Sequence, residues 1–475
     1  MEPRSLRFIA EACDGELLSG SPETLIRRLS TDSRQLHVND LFVALEGEKF
    51  DGHDFLPEVF RKGACAAMVH RSKVPRGTEE CAIIAVEDTR RALGRFAARY
   101  RQDFDFPFIA IGGSNGKTTT KELVASVLRE RFKVLRSEAS FNNDVGVPLT
   151  LLNLRGNHEA AVVEVGTNHP GELAPLVKMI QPRYGILTNI AREHLEYFGD
   201  LEGVAEEEGS LAELLPENGK LFVDGDCLAM SRAISRTRAT VVRVGFHETN
   251  DWRVRDVKVT ESGVKFDVEA PDSDLNGEYE VRLLGRHQVR NALLAVAVGR
   301  ELGLSRAEIQ HGLAECAPPK MRLQLWKIEG LQILDDTYNA NADSMRAALQ
   351  TLHEFPCRGR RVAVLGDMAE LGRHCSEAHA EVGRHAAELG ISHLFAVGKM
   401  SAIMADSARA AGLEATRAFS TVEDAAAALR DFLRPGDVVL LKASRATRLE
   451  RLTEILRTHA AGKPAASDAG GGACA

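Results

Sequence analysis

A glycine-rich run, GGSNGKTTTKE at residues 112–122, constrains the fold of this chain more than any other feature. It follows an apolar stretch, FPFIAIGG from Phe106, and leads into a helical pattern from about Lys117 to Arg131. A strand, a glycine turn and a helix in this order are typical of a phosphate-binding loop, because glycines let backbone N–H groups approach phosphate oxygens at the positive end of the helix. The sequence therefore predicts ATP or a related nucleotide as cofactor.

The run matches a shorter form of the phosphate-loop pattern. The full pattern has glycine six residues before the lysine, where this chain has Ile111. Glycine-rich turns also serve as plain connections, but the triplet Gly116, Lys117 and Thr118 favours phosphate binding. Lys117 is predicted to neutralise the β and γ phosphates, and the Thr118 hydroxyl to ligate Mg²⁺. The predicted nucleotide contacts in this loop are Gly113, Ser114, Asn115, Gly116, Lys117, Thr118 and Thr119.

The composition is that of a globular protein with several domains. At 475 residues the chain exceeds what one hydrophobic core usually supports. Its net charge of −8 comes from basic and acidic residues spread along the chain, which leaves no basic tract for a nucleic acid backbone. No segment approaches the roughly 20 consecutive apolar residues of a membrane-spanning helix, and the eight cysteines form no CxxC pair. We therefore expect a cytoplasmic protein without nucleic acid binding, membrane insertion, zinc or disulfides.

Two of the predicted domains precede residue 318. Residues 1–104 are predicted to form a small α/β domain, and residues 105–317 a central domain in which strands and helices alternate as a parallel sheet requires. The stretches 252–268 and 278–284 alternate apolar and polar residues. They indicate an antiparallel patch added to the parallel sheet.

A linker and a third domain follow. Two consecutive prolines in CAPPKMR at 316–322 indicate the linker, because proline cannot continue a helix. Residues 318–461 alternate strands and helices and are predicted to form a doubly wound, Rossmann-like domain. Residues 462–475 have too little apolar surface to offset the entropy lost on ordering and are predicted to be disordered. The predicted fold class is therefore α/β with three domains.

Several motifs together resemble the Mur ligase family. Besides the phosphate loop, they are STDSRQLHVNDLFVAL at 30–45, GEKFDGHDF at 47–55, FNNDVGVPL at 141–149, EVGTNHPGEL at 164–173, NIAREHLEYFG at 189–199, GRHQVRNAL at 285–293 and KASRATRLE at 442–450. The resemblance covers nearly the whole chain. It implies a uridine-nucleotide-binding N-terminal domain, a central ATPase-like domain and a C-terminal domain that binds further ligands, and we expect such a protein to be a monomer.

Within that family, DDTYNANADSM at 335–345 and GDMAELG at 366–372 are similar to the branch that adds D-alanyl-D-alanine to UDP-N-acetylmuramoyl-tripeptide. One departure is Ala342, where a proline is usual. The resemblance implies ATP-dependent amide ligation through an acyl phosphate. Two alternatives stay open at this point: another amino-acid-adding ligase of the superfamily, including folate or polypeptide ligases, and a nucleotide-binding protein without turnover.

The resemblance also implies which residues form the active site. Lys117, Glu164, His194 and Glu208 are the predicted catalytic residues, and Thr118, Glu164, His194 and Glu208 the predicted Mg²⁺ ligands. Carboxylates are the hard oxygen ligands that Mg²⁺ prefers. Glu208, in VAEEEGSL at 204–211, stands where related ligases usually have a lysine carbamylated by CO₂. We therefore predict that Glu208 replaces the carbamate, although residues 206–208 could also be a solvated acidic helix face.

The remaining predicted contacts are divided between nucleotide and substrate. Asn291, Arg322 and Asp336 are expected to contact adenine, phosphate and ribose. Substrate contacts are expected at Ser33, Arg34, Asn142, Asn143, Asn168, Tyr338, Asn339, Asn341, Lys442, Ser444 and Arg445. Plain structural roles compete with these assignments, because asparagine is common in helix caps and turns, histidine is often an ordinary polar residue and arginine is often a surface charge.

Overall fold

The computed structural model describes residues 1–75 and 81–462. Three separate β-sheets follow one another along this part of the chain, with helices between their strands. The predicted boundaries at 104/105 and 317/318 lie outside the strands of all three sheets, and they stay predictions. The predicted disorder of 462–475 falls, apart from its first residue, outside the described residues.

The N-terminal part contains a five-stranded sheet with the order β2-β7-β6-β5-β4. Its strands are parallel except for the edge strand β2, and β1 pairs with β3 in a separate ribbon. The elements are β1 (Arg4–Ser5), α1 (Leu6–Cys13), β2 (Glu16–Ser19), β3 (Leu25–Ile26), β4 (Leu29–Ser30), β5 (Leu41–Val43), α2 (Leu56–Arg61), β6 (Ala66–His70), β7 (Ala82–Val86) and α3 (Thr89–Arg101).

Helix α3 joins the N-terminal part to the central part. The Asp88 side chain caps its first turn, and Phe96 and Tyr100 on its buried face are fully enclosed. The Tyr100 hydroxyl donates to the Leu154 carbonyl at 2.8 Å and accepts from the Glu2 N–H at 2.6 Å. One continuous hydrophobic core therefore spans both parts and fixes the first domain on the second.

The central part is a nine-stranded sheet with the order β16-β15-β14-β13-β12-β11-β8-β10-β9. It is parallel from β9 to β14, and β14, β15 and β16 pair antiparallel, which confirms the predicted antiparallel patch. The elements are β8 (Phe108–Gly112), α4 (Lys117–Leu128), β9 (Val134–Arg136), α5 (Gly146–Leu151), β10 (Ala160–Glu164), α6 (Leu173–Ile180), β11 (Tyr184–Leu187), α7 (Leu195–Phe198), α8 (Leu201–Glu213), β12 (Lys220–Asp224), α9 (Met230–Ile234), β13 (Thr240–Gly245), β14 (Trp252–Val259), β15 (Val264–Glu269), β16 (Gly277–Val281), α10 (Gln288–Glu301) and α11 (Arg306–Glu315).

Strand β8 is buried on both faces, as a continuous apolar run predicts. Phe108 and Ala110 face the core shared with the N-terminal part, whereas Ile109 and Ile111 face the core under α4 and α10. Because β10 and β11 flank β8, the carboxyl end of β8 opens onto the middle of the sheet edge. Parallel sheets bind ligands at that edge, so the fold places the phosphate loop where a nucleotide can reach it.

The C-terminal part is a six-stranded sheet with the order β17-β18-β22-β19-β20-β21, parallel except for β17. Leu349 of α12 packs in the core on one face, and Leu429 of α15 in the core on the other, which confirms the doubly wound prediction. The elements are β17 (Gln324–Ile328), β18 (Leu331–Asp336), α12 (Ala342–Glu354), β19 (Arg361–Gly366), α13 (Cys375–Glu388), β20 (His393–Val397), α14 (Ser401–Ala410), β21 (Thr416–Phe419), α15 (Val422–Phe432), β22 (Val438–Lys442) and α16 (Glu450–Gly462).

The three sheets with their covering helices confirm the α/β fold class. Among the helices of residues 1–75 and 81–462, none combines the length and the apolar character needed to cross a bilayer.

Candidate active site

The predicted phosphate loop lies between β8 and α4 and contains two glycines with left-handed backbone angles. Gly113 has φ 104° and Gly116 has φ 87°, a region that side-chain-bearing residues rarely adopt. A Cβ atom on Gly113 would lie 2.4 Å from the Thr188 Oγ1 atom and 2.8 Å from the Thr188 backbone nitrogen. Glycine is therefore required at position 113 for both conformation and space.

A second loop, residues 188–194 after β11, holds the phosphate loop in place. The Ser114 N–H donates to the Asn189 carbonyl at 2.9 Å, and the Asn115 N–H donates to the Asn189 side-chain oxygen at 2.9 Å. The Ala191 N–H donates to the Ser114 hydroxyl at 2.8 Å. The two loops therefore form one rigid unit at the edge of the sheet.

Lys117 begins α4, and its side chain folds back over the phosphate loop. Its Nζ atom donates to the Gly113 carbonyl at 2.5 Å and lies 3.8 Å from the Glu193 carboxylate. Burial lowers the pKa of the Lys117 amine, but the nearby carboxylates of Glu193, Glu208 and Glu164 outweigh burial and raise the pKa overall. The amine is therefore a stable positive charge at the place where phosphates are expected.

Glu164 and Thr118 offer oxygen atoms suited to Mg²⁺ on the floor of the cleft. The Thr118 hydroxyl donates to Glu164 Oε1 at 3.2 Å, and the Asn142 amide donates to the same oxygen at 2.9 Å. Glu164 is 1% exposed, and its Oε2 atom has no hydrogen bond within the described residues, although Lys121 Nζ lies 3.5 Å away. A buried carboxylate oxygen without a donor suits a hard cation, so these two residues fit the predicted metal.

His194 is held by a residue of the C-terminal part. Its Nδ1 atom hydrogen-bonds the Glu370 carboxylate, which belongs to the motif GDMAELG. A carboxylate only accepts, so Nδ1 donates and the Nε2 atom keeps its lone pair in the neutral ring. An outer carboxylate that orients a histidine in this way is common around metal sites. His194 therefore also fits the predicted metal.

Glu208 lies beneath the phosphate loop rather than in the wall of the cleft. It is fully buried on α8, and its Oε2 atom accepts the Gly113 N–H at 2.6 Å. In the part of the chain that the structure describes, nothing hydrogen-bonds its Oε1 atom. Burial raises the pKa of the Glu208 carboxyl to about 7, although Lys117 acts in the opposite direction. The interpretation of residues 206–208 as one solvated face is therefore wrong for Glu208.

The predicted metal ligands do not form a compact group on their own. Among residues 1–75 and 81–462, no cluster of three or more His, Cys, Asp or Glu side chains is arranged to hold a metal ion. Thr118, Glu164 and His194 line one cleft, and Glu208 stands behind it. Their role as a shared ligand set stays a prediction, since substrate phosphates usually complete a Mg²⁺ site.

The cleft lies between the central and C-terminal sheets and has a volume of about 1000 Å³. Most of the predicted contacts line it together. They are Ser114, Asn115, Gly116, Lys117, Thr118, Thr119, Asn142, Asn143, Glu164, Asn168, His194, Asn291, Arg322, Asp336, Tyr338, Asn339, Asn341 and Lys442. Residues more than 200 positions apart in the sequence therefore face one space, which is large enough for a nucleotide and part of a second substrate.

The C-terminal side of the cleft touches the phosphate loop directly. The Asn341 amide caps α12 by accepting the Ser344 N–H and donates to Asn115 Oδ1 at 2.9 Å. The Arg322 guanidinium lies 3.4 Å from the Thr118 hydroxyl and 4.2 Å from the centre of the Tyr338 ring. Asn341 is therefore both a helix cap and an interdomain contact.

Lys442 and Asp336 form a buried ion pair at the carboxyl ends of neighbouring strands. Lys442 Nζ lies 2.6 Å from Asp336 Oδ2 and also donates to the Asn339 carbonyl at 2.9 Å. Asn291 of α10 lies against the phosphate loop, because a Cβ atom on Gly116 would be 2.7 Å from its side-chain oxygen. These positions agree with the predicted nucleotide contacts. The individual ribose and adenine roles stay predictions.

Four predicted substrate contacts lie outside this cleft. Arg34 is 84% exposed at its side chain and pairs with Asp32 at 2.9 Å, and the Ser33 carbonyl accepts from Lys62 at 2.9 Å. Ser444 donates to the Ala340 carbonyl at 3.2 Å, and Arg445 pairs with a glutamate of α16 at 3.1 Å. Ser444 and Arg445 therefore hold C-terminal loops in place, whereas Ser33 and Arg34 lie in the N-terminal part, between β4 and β5.

Arg192 is a residue of the cleft that the sequence interpretation missed. Its guanidinium connects the loop 188–194 to two helices of the C-terminal part. It lies 2.7 Å from Asp343 of α12 and 2.8 Å from Glu381 of α13. Its backbone N–H also donates to Asp343 at 3.0 Å. The only sequence signal was a pair of consecutive charges just before His194, so the partners could not be named from the sequence.

Replacing Arg192 with alanine is expected to lower kcat/KM for ATP about 10-fold, because its two partly buried ion pairs hold the loop 188–194 against the C-terminal part and together contribute roughly 1–2 kcal/mol. Arg346→Ala is the matched control, since Arg346 pairs with Glu381 at 3.2 Å within one domain. It should change kcat/KM less than about 3-fold. Steady-state kinetics at varied ATP measure both variants, and equal values for the two would contradict a role of Arg192 in holding the two parts of the cleft together.

Comparison with protein families identifies three matching segments. Residues 25–101 match the Mur ligase family, catalytic domain; residues 111–299 match the Mur ligase middle domain; and residues 321–445 match the Mur ligase, glutamate ligase domain. Together the three segments cover most of the chain.

Curated and solved relatives match over almost the full length. The UDP-N-acetylmuramoyl-tripeptide--D-alanyl-D-alanine ligase of Bacillus subtilis is 35% identical over 459 residues, which are 96% of this chain and 99% of that protein. A crystal structure of MurF from Acinetobacter baumannii superposes with a TM-score of 0.87 at 32% identity, covering 96% of this chain and 99% of the other. MurF ligase from Thermotoga maritima in complex with ADP superposes with a TM-score of 0.80 at 28% identity, covering 92% and 98%.

Proposed function

Because the chain belongs to the Mur ligase family, we propose that it joins D-alanyl-D-alanine to UDP-N-acetylmuramoyl-tripeptide at the expense of ATP. The product is the UDP-N-acetylmuramoyl-pentapeptide precursor of peptidoglycan. ATP first phosphorylates the terminal carboxylate of the tripeptide, with release of ADP. The dipeptide amine then attacks the acyl phosphate, and phosphate leaves.

One observation supports this function above the others: the phosphate loop and the loop of the motif DDTYNANADSM face each other across a single cleft. Asn115 of the first loop accepts a hydrogen bond from Asn341 of the second at 2.9 Å. A nucleotide bound by the first loop would therefore lie beside whatever the second loop binds. Ligation needs this proximity, because the acyl phosphate and the amine must meet.

The residues of the chain mainly position and neutralise anions. Lys117 lies where it can neutralise the transferred phosphate, and the glycines of its loop present backbone N–H groups. Thr118, Glu164 and His194 would hold Mg²⁺, which would screen the repulsion between the phosphates and the substrate carboxylate. Tyr338, Asn339 and Asn341 offer polar groups to the dipeptide, and Lys442 orients their loop through the Asn339 carbonyl.

The decisive experiment is a product assay by mass spectrometry. The purified protein is incubated with ATP, Mg²⁺ and UDP-N-acetylmuramoyl-tripeptides that differ in their third residue, each with D-alanyl-D-alanine or with single amino acids. The expected result is UDP-N-acetylmuramoyl-pentapeptide and one ADP per product, only when the dipeptide is present. A product formed with a single amino acid, or ATP binding without any ADP release, would overturn the proposal.

Glu208 leads to a separate prediction about CO₂. We propose that above its raised pKa of about 7 its ionised carboxylate supplies the negative charge that a carbamylated lysine supplies in related ligases, and that it does so without modification. Turnover in CO₂-depleted buffer should therefore equal turnover with added bicarbonate. The matched control is Glu208→Lys, which restores the amine and should respond to bicarbonate if it folds. An at least about 10-fold stimulation of the wild type by bicarbonate would contradict the proposal.

The two alternatives are less favoured. A full-length relative at 35% identity carries the D-alanyl-D-alanine ligase name, which weighs against another amino-acid-adding activity. Lys117, Thr118 and Glu164 are all present. Lys117 hydrogen-bonds the phosphate loop, and Thr118 hydrogen-bonds Glu164. These contacts weigh against a nucleotide-binding protein without turnover. Action in the cytoplasm as a monomer remains part of the proposal.

A further inference from the structure

The carboxylate of Glu193 lies between the two groups that face the expected phosphates and metal. Its Oε1 atom is 3.8 Å from Lys117 Nζ, and its Oε2 atom is 3.9 Å from His194 Nε2. Glu193 is 9% exposed and lines the cleft, with the Ser114 hydroxyl as another polar neighbour. Both measured separations exceed hydrogen-bond distance, so neither the amine nor the imidazole saturates this carboxylate.

The charge of Glu193 is unfavourable for nucleotide binding unless a cation accompanies it. A carboxylate that faces the phosphate-binding lysine repels the phosphates which that lysine attracts. The carboxyl groups of Glu164 and Glu208 also lie around Lys117 and add to this repulsion when ionised. A divalent cation between Glu193 and the phosphates converts this repulsion into attraction. This arrangement of charges therefore favours binding of a metal–nucleotide complex over binding of a free nucleotide.

The geometry around His194 also supports a metal ion beside Glu193. Its Nδ1 atom is occupied by Glu370, so Nε2 is the atom available to a metal, and Nε2 faces Glu193. In an octahedral site, two adjacent ligands that each lie about 2.1 Å from one Mg²⁺ ion are about 3 Å apart. The 3.9 Å between His194 Nε2 and Glu193 Oε2 is about 1 Å longer, so a small side-chain rotation brings both atoms to one ion.

We propose that Glu193 is a further ligand, beside His194, of the Mg²⁺ ion that accompanies the nucleotide. This inference rests on the proposed function, because it presumes that a metal–ATP complex occupies the cleft. It gives Glu193 a role distinct from that of a counter-ion to Lys117, since a counter-ion competes with phosphate whereas a metal ligand assists its binding.

The test uses Mn²⁺ as the probe, titrated by electron paramagnetic resonance into the full-length protein saturated with a non-hydrolysable ATP analogue. Glu193→Gln keeps the shape of the side chain and removes its charge. It is expected to weaken Mn²⁺ binding at least about 10-fold. The matched control is Glu196→Gln, which removes an exposed carboxylate three residues away and should leave Mn²⁺ affinity within about 3-fold.

A counter-ion role predicts a different pattern. In that case Glu193→Gln leaves Mn²⁺ affinity unchanged and tightens metal-free ADP binding, measured by fluorescence titration, and this result would overturn the inference. Glu193→Asp keeps the charge and is expected to bind Mn²⁺ between the wild type and Glu193→Gln. If circular dichroism shows that the glutamine variant is unfolded, the aspartate variant alone decides: Mn²⁺ affinity equal to the wild type overturns the inference.

The outcome can be separated from the fate of the proposed function. Wild-type protein from the same preparation is run in the pentapeptide assay. If it makes the product and Glu193→Gln keeps its Mn²⁺ affinity, only the role of Glu193 is refuted. If the wild type makes no product although Mn²⁺ and the nucleotide analogue bind, the proposed function is refuted, whereas the metal-binding result for Glu193 still stands.

Discussion

Replacing Lys117 with methionine is expected to lower kcat about 10³-fold, which corresponds to about 4 kcal/mol of transition-state stabilisation. Methionine keeps most of the aliphatic length but removes the positive charge. The loss is large because three carboxylates surround the amine, so the site becomes strongly negative where an anion must bind. Steady-state kinetics at saturating ATP, with product counted by mass spectrometry, measure the effect.

The control for this variant is Lys133→Met, which removes an exposed lysine just before β9. It should keep kcat within about 2-fold of the wild type. Because Lys117→Met leaves buried carboxylates without their nearest cation, thermal unfolding is measured in parallel to establish that the variant is folded. A folded Lys117→Met variant that keeps more than about a tenth of wild-type kcat would show that another group neutralises the phosphate.

The long buried strands could be predicted from the sequence because each is a continuous apolar run. β8, β10 and β22 lie within a few residues of their predicted positions, and α4 begins at Lys117 as expected but ends at Leu128, three residues early. The edge strand β9, with all three residues half-buried, has no such run and was not predicted. The two-residue strands of the N-terminal part depend on pairing with distant segments, which no local pattern encodes.

The candidate site, like the fold, has one part that could be predicted from the sequence and another that could not. The phosphate loop was predictable because its glycines, lysine and threonine act within six consecutive residues. The partners that complete the site come from far along the chain, such as Glu370 for His194 and Asp343 for Arg192. The direction of a side chain could not be predicted either. Glu208 belongs to an acidic run, yet on α8 its side chain points under the phosphate loop and not toward solvent. Packing of one domain on another decides these contacts, and the sequence alone does not reveal that packing.

Glu164→Gln is expected to lower kcat about 10²- to 10³-fold at ordinary Mg²⁺ and to shift the Mg²⁺ dependence to higher concentration. Glutamine can still accept hydrogen bonds from Thr118 and Asn142 through its oxygen, so the fold around β10 should survive. It cannot provide the second carboxylate oxygen or its charge, and its amide faces the Lys121 amine unfavourably.

Glu159→Gln provides the matched control for Glu164→Gln, because it removes an exposed carboxylate at the opposite end of the same strand, where Glu159 accepts the Lys133 N–H at 2.8 Å. It should change neither kcat nor the Mg²⁺ dependence by more than about 2-fold. Activity measured against Mg²⁺ concentration separates two causes of a loss in Glu164→Gln. A loss from weaker metal binding is partly restored by excess Mg²⁺, since mass action refills the site. A loss that no Mg²⁺ concentration relieves, with unchanged Mn²⁺ affinity, would mean that Glu164 positions Thr118 and Asn142 and does not bind the metal.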